Sequence, residues 1–224
     1  SLLNVRPTHL AESYLEVVAS KYTPQAMQYR KQRGLRDDHV SMSVGCLVMV
    51  DARAGGVVYS GNPGDQSDSS IHISSAWGLP KAIVDGRFAA DHFVIERTDP
   101  PVVCDKEVAS KDFRFVMHHR EGVRRAEVDE SQRLAPSLTD REALAVAEAA
   151  IALERHFHNP VDVEWAVTES GEVVVLQCRP LSQSRRTGDR EELSGAPPPL
   201  IARGVNASPG AASGVSDVPC CQDP

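Results

Sequence analysis

Asp162 and Glu164 stand two residues apart, and so do Gln177 and Arg179, in two apolar-rich segments joined through Ser170-Gly171. Residues two apart on a strand share a face. The pattern therefore predicts a hairpin, Val161 to Val167 and Glu172 to Cys178, with its polar groups on one side. A symmetric turn centred between Ser170 and Gly171 puts Glu164 opposite Gln177 and Asp162 opposite Arg179, and opposite residues present their side chains to the same side of a sheet. Val163, Trp165, Leu176 and Cys178 are then expected on the other side. Two carboxylates and an amide oxygen are hard oxygen ligands suited to magnesium, which keeps waters and substrate phosphates as its remaining ligands. A guanidinium beside them could hold a phosphate or neutralise charge during phosphoryl transfer. Spacing alone equally allows a solvated hairpin face with an ordinary Asp-Arg pair.

Around that hairpin the chain alternates helical and extended patterns. Within residues 8–22, Leu10, Tyr14, Val17 and Val18 recur at the spacing of a helix face. A second helix is expected from Thr23, with Pro24 at its first position, to near Gly34. Met42 to Val50 reads as a buried strand, because Val44, Cys46, Leu47, Val48, Met49 and Val50 form a nearly continuous apolar run. Gly55-Gly56 is expected to separate it from a second strand, Val57 to Ser60. After a turn-rich loop, Gly61 to Asp68, short strands are expected at Ile71 to Ser74, His92 to Arg97 and Phe113 to His118, with a short helix from Pro80 to Val84. Thr139 and Glu142 form a capping box that starts a helix running to about Phe157, and its alanines suggest close packing against a sheet. Beyond Pro180 the residues turn to Ser, Arg, Gly and Glu, then Ala196-Pro197-Pro198-Pro199, the composition of a linker.

A formal net charge of −7 over 224 residues does not suit a protein that lives on neutralising nucleic-acid phosphates. No apolar run approaches the roughly 20 residues of a membrane span, and the N-terminus lacks a signal-peptide pattern. The expectation is a soluble, cytoplasmic protein with no nucleic-acid or membrane partner. The five cysteines show neither zinc-knuckle spacing nor a disulfide framework, and Cys46 reads as a small buried hydrophobe. His118 and His119, as strand neighbours, should point to opposite faces, and His156 and His158 should flank a helix end; both pairs read as structural. Trp77 and Trp165 read as packing residues, and Arg124-Arg125 and Arg185-Arg186 as solvated charges.

The hairpin residues also carry a family likeness. Asp162-Val163-Glu164-Trp165 followed by Gln177-Cys178-Arg179-Pro180 resembles the Asp-x-Glu-Trp…Gln-x-Arg-Pro signature that closes the ATP-grasp domain of phosphoenolpyruvate synthases. Pyruvate phosphate dikinases have a related version. Leu3-Asn4-Val5-Arg6, Tyr29-Arg30, Met49-Val50, Gly56-Val57-Val58, Asn62-Pro63, Ala76-Trp77-Gly78-Leu79 and Asp85-Gly86 match in the same order. Gly204 to Gly214 is similar to the opening of the family's swivelling phosphohistidine domain. The resemblance implies an α+β fold, the C-terminal part of an ATP-grasp nucleotide-binding domain, with a mainly antiparallel sheet flanked by helices. It implies Mg2+ held by Glu164 and Gln177, Arg179 on the transferring phosphates, and Asp162 orienting these groups. Adenine would lie beside Val48 and Met49. The family's enzymes move the β-phosphoryl group of ATP to a histidine and then to pyruvate.

Two departures stand out against that pattern. Leu47 occupies a position where the family commonly has Gln, and Pro80-Lys81 replaces Gly-Glu, exchanging an acid for a cation in a site for Mg-ATP. A divergent acceptor, or a retired module kept for nucleotide binding or assembly, is the alternative reading. Residues 1–181 are expected to be a partial ATP-grasp domain, 182–203 a linker, and 204–224 a truncated swivelling-domain start or a tail. The first ATP-grasp lobe and the swivelling domain are then the expected partners, supplied by a longer protein, and this chain alone is expected to be inactive. An uncovered lobe interface would favour self-association, so a homo-oligomer is also expected. Ala109-Ser110-Lys111 resembles the family's Gly-Ser-Lys segment. Lys111 is thus either a surface lysine or a phosphate-region candidate, and Lys106 lies nearby.

Overall fold

Alanine spacing in one long helix explains how the two layers meet. In the computed structural model, which describes residues 1–62, 68–86 and 89–181, this helix, Asp140–Phe157, buries Ala143, Val146, Ala147 and Ala150. Short side chains let the helix axis approach closely. They pack on Ala54, Val58, Ile71, Ile73, Phe93, Ile95, Val161, Val163, Trp165 and Val167 of a sheet. The expected capping box starts the helix: Thr139 Oγ1 accepts from the Glu142 amide at 3.2 Å, and Glu142 Oε2 accepts from the Thr139 amide at 2.9 Å.

In chain order the helices are α1 (Leu10–Ala19), α2 (Pro24–Gln32), α3 (Lys81–Val84), α4 (Glu130–Arg133) and α5 (Asp140–Phe157). The strands are β1 (Ala52–Tyr59), β2 (Ile71–Trp77), β3 (Asp91–Glu96), β4 (Val102–Glu107), β5 (Phe113–Met117), β6 (Val123–Glu127), β7 (Val161–Thr168) and β8 (Val173–Pro180). Six of them form a sheet in the order β4-β3-β2-β1-β7-β8, paired antiparallel throughout, and β5-β6 make a separate hairpin. Helices and antiparallel sheet together make the expected α+β class. Among the described residues no helix is long and apolar enough to cross a membrane.

Several expectations need correction. Residues 42–50 are irregular backbone rather than a strand, with Leu47 79% and Val48 91% exposed and Cys46 exposed as well. A strand needs a ladder partner, and β1, which follows immediately, already has β2 on one side and β7 on the other. Gly55 and Gly56 do not separate two strands; they lie inside β1 because other groups sit directly on them. A Cβ at Gly56 would stand 1.9 Å from the Ser74 carbonyl oxygen, and one at Gly55 would stand 2.8 Å from Pro80 Cδ. β4 and β6 are strands that the periodicity did not signal. Both are short and mostly exposed, so neither carries a clear apolar alternation. His118 and His119 lie past the end of β5, so the alternation of a strand does not apply, and their ring centroids are 4.2 Å apart. Trp77 and Trp165 are buried as expected. The helices at both N-terminal positions form, α2 with the Thr23 side chain accepting from the Ala26 amide, yet the apolar side chains of α1, Leu10, Tyr14 and Leu15, are exposed. The segments 182–203 and 204–224, and most of the loop from Gly61 to Asp68, lie outside the described residues.

Candidate functional site

The hairpin β7–β8 pairs as its polar residues require: Glu164 lies opposite Gln177 and Asp162 opposite Arg179. The route to that register differs from a symmetric turn. Val167 faces Val173 and Trp165 faces Val175, which centres the turn on Ser170, and Leu176 is an extra residue that shifts the ladder before Gln177. A bulge of this kind re-aims the side chains that follow it. It also corrects one expectation. Leu176 does not share the helix side with Val163, Trp165 and Cys178 but packs with Ala52, Leu79 and Ala166 on the opposite side.

That opposite side is the face the site occupies. Because paired residues share a face, two rows run across the strands: Arg179, Asp162, Tyr59 and His72 in one, and Gln177, Glu164 and Ser74 with the apolar Val57 in the other. Arg179 Nε and Nη2 both donate to a single oxygen, Asp162 Oδ2, at 2.8 and 2.7 Å. The Asp162 side chain is only 7% exposed whereas that of Arg179 is 65% exposed, so the carboxylate is a fixed anchor and the guanidinium remains open to solvent. Among the described residues neither the Glu164 carboxylate nor the Gln177 amide has a hydrogen-bond partner. Burial first, and the Asp162 charge second, hold the Glu164 carboxyl above its ordinary value of 4.5, with Arg179 opposing. The hydrogen bond and charge of Asp162 push Arg179 up in turn. Two unpartnered oxygen donors facing each other, one of them a carboxylate penalised for its charge, fit a hard cation.

Residues 1–196 match the family described as pyruvate phosphate dikinase, AMP/ATP-binding domain. The chain belongs to that family. Among its relatives are a probable phosphoenolpyruvate synthase of Methanocaldococcus jannaschii, 30% identical over 95% of this chain and 18% of the relative, and the phosphoenolpyruvate synthase of Aeropyrum pernix, 30% identical over 95% of this chain and 30% of the relative. The phosphoenolpyruvate synthase of Escherichia coli is 31% identical over 73% of this chain and 22% of that protein. The chain thus spans less than a third of the length of each of these three relatives.

For a pyruvate phosphate dikinase AMP/ATP-binding domain, the residues nominated from sequence fall into two groups. Asp162, Glu164, Gln177 and Arg179 converge. Met49 also reaches this face, packing with Val50 and Leu176 against the apolar patch of Ala52, Leu79 and Ala166 beside the quartet. Val48 does not join them, since its side chain points into solvent. Pro80 is buried above Gly55, and the Lys81 ammonium is neutralised by Asp85 at 2.9 Å. Lys111 is neither a surface lysine nor open to a phosphate. It is buried 20 residues from its partner, donating to Asp91 Oδ1 and to the Ala109 carbonyl. Tyr59 belongs to the site face and was not nominated. The available signal was parity, because Val57 and Tyr59 alternate with the core residue Val58.

The shift at Glu164 gives a pH dependence with a definite sign. A carboxyl raised in the folded state makes the folded chain hold its proton more tightly than the unfolded chain, so ionising it lowers stability. That penalty is fully present above the raised value and vanishes as pH falls through it toward 4.5. Glu164→Gln is therefore expected to raise the urea midpoint at pH 7 and to lose that advantage near pH 4. Equal midpoints for both proteins at pH 7 would contradict the burial argument.

Proposed function

We propose that this chain is the ATP-binding segment of a phosphoenolpyruvate synthase-like phosphotransferase with an ATP-grasp nucleotide-binding fold. The enzyme would move the β-phosphoryl group of Mg-ATP to a histidine on a following domain and then to pyruvate. The observation that carries this reading is the cross-strand quartet, Glu164 against Gln177 and Asp162 against Arg179, formed by the residues that match the family signature. Glu164 and Gln177 would hold Mg2+, which when bound offsets phosphate charge and aligns the phosphate chain. Arg179 would swing from Asp162 toward the phosphates, its exposed guanidinium neutralising charge that develops on them. Asp162, buried and anchored in β7, would set the range over which Arg179 moves. Met49 and the patch around Ala166 and Leu176 would supply an apolar wall for adenine. The histidine acceptor and the pyruvate site would lie elsewhere in a longer, cytoplasmic polypeptide, in keeping with the fraction of each relative that this chain spans.

The alternative, a retired module that binds nucleotide without turnover, is motivated by Lys81 where the family pattern has an acid. Its pairing with Asp85 weakens that case, because the ammonium charge is already compensated locally. Calorimetric titration of Mg-ATP into the chain tests the binding reading. Binding is expected to require magnesium and to weaken at least about tenfold in Glu164→Ala and in Gln177→Ala, each of which removes a metal ligand. Magnesium-independent binding, or binding untouched by Glu164→Ala, would sink it.

A further inference from the structure

Tyr59 is the one member of the site's rows with a phenol hydroxyl. It closes β1, half-buried, opposite Asp162 on one neighbouring strand and His72 on the other. Directly opposed residues bring their Cβ atoms to within about 5 Å, so its ring lies alongside the Asp162–Arg179 pair. The neighbours are otherwise engaged. Asp162 Oδ2 receives both bonds from Arg179, and His72 Nε2 is 3.0 Å from Asp68 Oδ2. Among the described residues the Tyr59 hydroxyl has no hydrogen-bond partner. Solvent reaches this hydroxyl, so a ligand atom on the same face can take the place of its water.

The chemistry of its surroundings selects which atom. A phenol beside a carboxylate stays protonated at neutral pH, so it acts as a donor. The Arg179 guanidinium lies one strand beyond Asp162 in the same row, so once it turns from that carboxylate the two donors can meet one anion. We infer that Tyr59 is a phosphate-binding residue of this site, its hydroxyl donating a hydrogen bond to the phosphate chain of the bound nucleoside triphosphate beside Arg179. The inference rests on the Mg-ATP reading above and adds to it a residue outside the Asp-x-Glu-Trp…Gln-x-Arg-Pro signature.

The test compares the 224-residue chain with its Tyr59→Phe and Glu164→Ala variants, titrating Mg-ATP and, separately, magnesium tripolyphosphate. Phenylalanine keeps the ring and removes only the donor. Tyr59→Phe is expected to weaken both ligands by the same factor, about tenfold for a lost bond to a charged acceptor, with an unchanged urea midpoint because no intramolecular bond is lost. Unchanged affinity in Tyr59→Phe while Glu164→Ala weakens binding at least about tenfold overturns the Tyr59 role and leaves the nucleotide reading standing. Weakening of Mg-ATP alone overturns it as well, since the contact would then be to adenosine. So does a wild-type chain that binds Mg-ATP but not tripolyphosphate. A wild-type chain that binds neither ligand ends both readings together. A lowered midpoint in Tyr59→Phe would assign the hydroxyl to the fold instead.

Discussion

Lys111→Met is expected to lower folding stability by about 3–5 kcal/mol, the usual result of stripping one partner from a buried ion pair. Against a total of roughly 5–15 kcal/mol for a domain, such a loss leaves little margin. Lys111 and Asp91 are 1% and 0% exposed, so water cannot stand in for the missing ammonium. The pair also organises the backbone of two segments. Asp91, the first residue of β3, accepts from the Ala109 amide at 3.0 Å, from the Ser137 amide at 2.7 Å and from the Ser137 hydroxyl at 2.6 Å. Ser137 Oγ in turn lies 2.8 Å from Ser75 Oγ on β2. One carboxylate therefore fastens the segment entering β5 and the segment entering α5 to the same sheet. Equilibrium urea unfolding measures the loss. The double variant Asp91→Asn/Lys111→Met, which removes both charges, is expected to recover part of it. A single variant within 1 kcal/mol of the wild type would mean that the ammonium contributes nothing net beyond the carboxylate's bonds to Ala109 and Ser137.

Lys111 also marks the boundary of what local sequence can report. A lysine is read as exposed unless a partner is known, and its partner here opens β3, 20 residues earlier in the chain. The apolar run 42–50 shows the converse. Its composition states that the side chains favour cover, but whether cover exists depends on non-local pairing, and β1 has no free side to offer. Elements whose determinants are local were legible: the capping box of α5, the Thr23-Pro24 start of α2, the Pro80 turn before α3. The candidate site was legible for a different reason. Its four residues sit on two adjacent strands joined by one short turn, so strand parity was enough to bring Asp162 to Arg179 and Glu164 to Gln177. Even there the agreement depends on a feature that parity does not contain. The turn is half a residue off the symmetric position, and without the extra residue at Leu176 Glu164 would face Leu176 instead of Gln177. Tyr59 escaped notice because it reaches the site through a third strand more than 100 residues earlier in the chain.

If the chain serves the proposed phosphotransferase, Arg179→Ala in a polypeptide that joins this domain to its acceptor domains is expected to reduce AMP formation from ATP by about a thousandfold, the scale on which an arginine stabilises charge in phosphoryl transfer. Binding of Mg-ATP should fall far less, because on the proposed reading Glu164 and Gln177 would remain to hold the metal. The division follows from the geometry. Arg179 spends the resting state on Asp162, and its 65% exposed side chain can leave that anchor without dragging a buried group with it. Interactions made chiefly in the transition state appear in turnover rather than in affinity. Arg179→Lys should not restore the rate, since an ammonium lacks the planar pair of donors that now grips Asp162 and would grip a phosphate. Product AMP followed by quenched-flow chromatography reads the effect, with calorimetry on the same variants reading affinity. A wild-type protein that binds Mg-ATP through Glu164 yet releases no AMP would establish the retired module instead. A wild-type protein whose turnover survives Arg179→Ala would move the phosphate chemistry away from this hairpin altogether.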